Sequence, residues 1–60
     1  MVLTEKEIEV LKLKKSSLTQ VEIAKKLKIS QPAVSSFYNG AIKKIKQAEE
    51  VLKIKKELQL

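Results

Sequence analysis

Gln31, Pro32, Ser35, Ser36, Asn39, Lys43 and Lys46 recur at intervals of three, four and seven residues. On a helix turning about 100° per residue they share one face. Amides, hydroxyls and ammonium groups can donate and accept hydrogen bonds and hold an anion, but none is a general base or a metal ligand. Elsewhere in the 60 residues there is no histidine, cysteine or aspartate, and no glycine-rich phosphate loop. Nucleophilic, acid–base and metal chemistry therefore lack their usual agents. We expect no enzyme, no catalytic residue, no metal and no cofactor; the row of polar side chains points to recognition.

Charge narrows what would be recognised. All seven acids are glutamate and all thirteen bases are lysine, which gives a net charge of +6. That balance favours a polyanion, and nucleic acid before membrane. No segment approaches the roughly 18 consecutive apolar residues of a membrane span. The opening Met1-Val2-Leu3-Thr4-Glu5 lacks the basic start and apolar run of a secretory signal. The expectation is a cytoplasmic, nucleoid-associated protein with no membrane partner and no small-molecule ligand.

Three elements must position the polar row. Thr4-Glu5-Lys6-Glu7 has the Thr-x-x-Glu pattern of a capping box, with Leu3 placed as a staple against Ile8. It predicts a helix over about 5–15, with Ile8 and Leu11, joined by Val10 and Leu13, on its apolar side. A second box at Thr19-Gln20-Val21-Glu22, with Leu18 before it, opens a short helix over about 20–27 that turns Ile23, Ala24 and Leu27 inward. Ser30 then caps a third helix, and Pro32 falls in its first turn, where a missing amide hydrogen costs nothing.

Asn39-Gly40 would ordinarily stop that third helix. Phase argues that it continues: Val34, Phe37, Tyr38, Ala41, Ile45, Ala48 and Leu52 keep one stripe through the glycine. We expect one helix over about 31–56, at a cost of about 1 kcal/mol for the internal glycine, with a kink or restart at Gly40 as the alternative. Val51, Ile54 and Leu58 form a second strip, turned by about 100° from the first. A tail with apolar strips beyond the reach of two short helices requires a cover. We assign residues 45–58, through Ile45, Ala48, Val51, Leu52, Ile54 and Leu58, to association with a second copy.

A short helix, a tight turn and a second helix with a small-polar outer face make a helix-turn-helix. The stretch "TQVEIAKKLKISQPAVSSFYNG" resembles that motif in bacterial, phage and archaeal regulators, with Ala24 at the close crossing and Ile23, Leu27, Ile29, Val34 and Phe37 at the apolar positions. "LTEKEIEVLKLKKSSLTQVEIAKKLKIS" is similar to the opening of the LuxR, sigma-factor region-four and archaeal Tfx group, and "AVSSFYNGAIKKIKQAEEVL" to the long last helix of the Tfx type. "SQPAVSSFYNG" is also similar to Cro and lambda-repressor-type domains, whose two further short helices have no counterpart here. The group usually has glycine where this chain has Lys28.

The resemblance implies an all-α fold over 1–60: a single helix-turn-helix domain with a short N-terminal helix, a recognition helix starting at 31 and a long C-terminal helix. It implies sequence-specific binding of double-stranded DNA as a homodimer by a transcriptional regulator. Ser30, Gln31, Pro32, Ser35, Ser36, Asn39, Lys43 and Lys46 of the third helix would meet DNA, with Thr19 and Gln20 at the start of the second. Without arginine, bidentate reading of guanine falls to lysine, while Gln31 and Asn39 suit adenine and an A·T-rich site. Blander readings stand beside these. The capping threonines serve their helices, the lysines at 12, 14, 15, 25, 26 and 28 could merely solvate helix faces, and Phe37 and Tyr38 belong to a core. Alternatives for the whole are a protein-interaction module with a coiled-coil-like tail, or a nonspecific DNA-coating protein.

Overall fold

The structure is a computed structural model and describes residues 2–60. These form three helices and no strand: α1 (Glu5–Lys15), α2 (Gln20–Leu27) and α3 (Gln31–Glu57). Both capping boxes are closed. Thr4 Oγ1 accepts from Glu7 N at 3.2 Å while Thr4 N donates to Glu7 Oε1 at 2.9 Å, and Thr19 and Glu22 repeat the exchange at 3.2 and 2.9 Å. Each box satisfies two of the amides that a helix start leaves without partners. Ser30 Oγ accepts from Ala33 N at 3.2 Å and starts α3.

The three helix ends share one device. Ser17, Lys28 and Gln59 take φ of 67°, 57° and 55°. After each, the next amide reaches back five residues: Leu18 N to Leu13 O (3.3 Å), Ile29 N to Ala24 O (3.0 Å) and Leu60 N to Lys55 O (3.2 Å). This is the Schellman closure, in which the left-handed residue is most often glycine. In the first two, the apolar pairs Leu13–Leu18 and Ala24–Ile29 belong to the same core, so side-chain burial offsets the left-handed cost of about 1 kcal/mol at Ser17 and Lys28. Lys28 thus takes the left-handed conformation that glycine most often supplies at such an end.

The core is small. Val10, Ile23, Ala24 and Val34 are buried, and Leu13, Leu18, Leu27, Ile29, Phe37 and Tyr38 pack against them. Each fully buried aliphatic side chain contributes about 1.5–3 kcal/mol. Phe37 and Tyr38 are half-buried at its edge rather than inside it. The inner face of α1 also differs from the sequence reading. Val10 is fully buried and Glu7 nearly so, whereas Ile8 is 37% exposed and Leu11 half-buried. The cause is the crossing with α3, which draws in positions 7 and 10 instead of the more apolar line beside them.

Gly40 lies at that crossing. A Cβ on it would stand 3.0 Å from Glu7 Oε2, so the helix accepts a poor helix former where α1 brings a carboxylate against its backbone. Glu7 Oε1 accepts from Lys44 Nζ at 2.8 Å, and no buried side-chain polar atom among the described residues lacks a partner. α3 continues unbroken past this point. At 1.5 Å per residue its 27 residues run about 40 Å, which accounts for the molecule's extents of 45 × 18 × 15 Å. From Ala48 onward every residue is exposed.

Candidate nucleic-acid interface

The buried side of α3, marked by Val34 and Ala41, faces α1 and α2. Its opposite side carries Gln31, Pro32, Ser36, Asn39, Lys43 and Lys46, all exposed. Those six form one row along the first half of the helix, with no carboxylate in it. Ser35 belongs to the same face but is half-buried, because a side chain from α2 reaches it.

That side chain is Gln20. Its Nε2 donates to Gln31 O at 2.8 Å and to Ser35 Oγ at 2.6 Å. Both acceptors are on α3, so the amide pins the first turn of α2 to the first turn of α3 and fixes how the polar row projects from the bundle. Ser35 accepts this bond, which leaves its own proton to donate outward. Thr19 and Ser30 are exposed, yet their hydroxyls accept from the amides of Glu22 and Ala33. All three side chains therefore have structural partners in the free protein, while Gln31, Ser36, Asn39, Lys43 and Lys46 have no side-chain hydrogen bond among the described residues.

Two carboxylates outside this row, Glu7 on α1 and Glu22 on α2, have lowered pKa values. The Lys44 ammonium, then the Thr4 amide, lower the Glu7 pKa below its ordinary 4.5, against a smaller opposing effect of burial. The Thr19 backbone amide, then its hydroxyl, lower that of Glu22. Lys44 is consequently tied to Glu7 and separated from Lys43 and Lys46, its neighbours in sequence. Among the described residues no group of three or more acidic, histidine or cysteine side chains could hold a metal ion, and no helix is long and apolar enough to cross a membrane.

The residues assigned to association occupy the other end of α3. Ile45 is half-buried and joins Val2, Leu3, Ile8, Lys44 and Ala48 around a shallow groove. Beyond it Val51, Leu52, Ile54 and Leu58 are 65, 63, 54 and 62% exposed. Four large aliphatic side chains in water on one helix are more than scattered surface residues account for.

Sequence reasoning gave Glu7 and Glu22 only their local capping roles and left Gln20 without a structural partner. The box pattern was the available signal for the glutamates; nothing in the spacing of Glu7 and Lys44, 37 residues apart, announces their pairing. Likewise, Lys14 was one lysine among many until the fold set its ammonium 5.7 Å from the centre of the Tyr38 ring.

Comparison with known proteins agrees with this architecture. Residues 1–54 match the family described as GerE, bacterial regulatory proteins of the luxR family. A protein of Methanocaldococcus jannaschii named "Putative transcriptional regulatory protein MJ0173" is 46% identical over 52 residues, covering 87% of this chain and 38% of that protein. The chain thus spans well under half the length of this relative. No solved structure matches it. With nearly all of its length matched and three helices in helix-turn-helix order, the chain belongs to the luxR family of bacterial regulatory proteins.

Proposed function

We propose that the chain is a sequence-specific reader of double-stranded DNA that acts as a homodimer in transcriptional regulation. The observation that carries the reading is the exposed row Gln31, Pro32, Ser36, Asn39, Lys43 and Lys46 on the side of α3 opposite its buried stripe. A helix about 10–12 Å across fits the major groove. In that groove Gln31 and Asn39 suit adenine edges, the serines accept or donate to either base, and Lys43 and Lys46 reach guanine or phosphate. Ser35 joins through its free proton. Gln20, Thr19 and Ser30 hold the helix in its attitude. Lysines surrounding the row supply most of the affinity, and the small polar side chains most of the discrimination.

Membership in a family of regulatory proteins supports this reading, as does the transcriptional name of the archaeal relative. The homodimer rests on Ile45, Ala48, Val51, Leu52, Ile54 and Leu58, whose apolar surface a second α3 would cover. Two-fold pairing places two recognition helices on one side of the duplex and calls for half-sites one helical turn, about 34–36 Å, apart. The protein would act at the nucleoid in the cytoplasm, as one domain over residues 1–60.

Selection from a pool of random duplexes, followed by sequencing of the retained DNA, tests the reading. A palindromic consensus is expected. Retention without a consensus would mean a nonspecific coating protein, and no retention would favour a protein-interaction module that uses the same exposed tail.

A further inference from the structure

One lysine is placed differently from the other twelve. Lys14, near the end of α1, holds its ammonium 5.7 Å from the centre of the Tyr38 ring, inside the range at which a ring face attracts a cation. It has no carboxylate partner; the one ion pair among the described residues joins Lys44 to Glu7. Beside it lies a cleft of about 170 Å³ lined by Lys14, Gln20, Val34, Ser35, Tyr38 and Asn39. This is smaller than the roughly 300–1,000 Å³ of sites that take cofactors or drug-sized ligands. No acidic side chain contributes to it. Its polar residues carry an ammonium, two hydroxyls and two amides, and the Ser35 hydroxyl already accepts from Gln20 at 2.6 Å, so its proton is left to donate.

We propose that this cleft binds one phosphodiester group of the DNA backbone, with Lys14 as the cation and the Ser35 hydroxyl as hydrogen-bond donor. The inference rests on the DNA-binding reading above and deepens it. Ser35 and Asn39 belong both to the cleft and to the polar face of α3, so a phosphate seated there lies at the edge of the groove that α3 enters. The Tyr38 ring restricts the ammonium before DNA arrives, which reduces the side-chain freedom lost on contact. Lys12 is the natural comparison. It lies two residues away on the same helix, about 200° around it, and lines a different groove with Glu9, Leu13, Lys26 and Leu27.

The test is the salt dependence of binding to duplex DNA retained from the random pool, measured for the wild-type protein, Lys14→Gln, Lys14→Arg and Lys12→Gln. Losing one phosphate contact lowers the slope of log affinity against log salt by about 0.9 for each chain engaged. We expect that drop for Lys14→Gln, so that its deficit relative to wild type shrinks about three- to fourfold for each chain between 50 and 200 mM salt. Lys14→Arg should keep the wild-type slope, and Lys12→Gln should change it less than Lys14→Gln does. An unchanged slope in Lys14→Gln would overturn the assignment while leaving DNA binding intact. An equal drop in Lys12→Gln would also overturn it, since loss of net charge alone would then suffice. A wild-type protein without salt-dependent binding would remove the DNA-binding reading and this inference together.

Discussion

Gly40, the chain's one glycine, sits in the middle of the longest helix with the Glu7 carboxylate against it, 3.0 Å from where a Cβ would stand. Two opposed effects meet at this position. Alanine would gain about 1 kcal/mol in helix propensity, but its methyl group would press on a carboxylate already held by Thr4 and Lys44.

The two positions should therefore be coupled. In the wild-type background Gly40→Ala should be neutral or destabilising, whereas in a Glu7→Ala background it should stabilise by about 1 kcal/mol. Urea denaturation of the four proteins of the cycle measures the coupling. Additive effects would mean that the contact carries no energy.

Lys28 offers a cleaner gain. It occupies the left-handed end of α2 at φ 57°, so Lys28→Gly should raise stability by about 1 kcal/mol. Lys28→Val, with a branched side chain, should lower it. Thermal or urea unfolding would show both signs.

How far the sequence carries can be judged at these same positions. Thr4, Thr19 and Ser30 announce three helix starts because capping depends on residues within one turn of each other, and the apolar phase of α3 persists through Gly40 for the same local reason. The crossing of α1 with α3 is not local. It buries Glu7 and Val10 and leaves Ile8 partly in water, because a paired carboxylate and a glycine together allow an approach that hydrophobicity alone would not choose. In the candidate interface, helical spacing is enough to group Gln31, Ser35, Ser36 and Asn39. The bond from Gln20 to Ser35 and the placement of Lys14 on Tyr38 depend on where separate helices meet, and residue spacing does not encode that.

Acid should loosen the α1–α3 contact. The Glu7 pKa is lowered in the folded protein, principally by Lys44 and then by the Thr4 amide. The stability this provides is fully present above the ordinary carboxylate value of 4.5 and is lost as pH falls through the lowered folded value. Glu22 acts in the same direction through Thr19. Stability measured from pH 7 downward should therefore decline in this window, and Glu7→Gln should flatten part of the decline. An identical pH profile in the variant would assign the acid sensitivity elsewhere.

Association through the tail predicts a different kind of loss. Replacing Leu52 and Ile54 by lysine should yield a monomer by sedimentation equilibrium, with the core of Val10, Ile23 and Val34 still folded, because both side chains are exposed in the single chain. DNA affinity for a palindromic site should fall, with a single half-site less affected. A wild-type monomer at micromolar concentration in the presence of DNA would contradict the homodimer.

The central claim is that the exposed face of α3 reads sequence, and competition measures it most directly. The wild-type protein and Asn39→Ala would each be titrated by fluorescence anisotropy against the selected duplex and a scrambled one, at a single physiological salt concentration. The account predicts a wild-type preference of at least about 10³ for the selected duplex, reduced by about 1–3 kcal/mol per half-site in Asn39→Ala, with binding to the scrambled duplex unchanged. Equal affinity of the wild-type protein for both duplexes, or an Asn39→Ala variant that keeps the full preference, would contradict it.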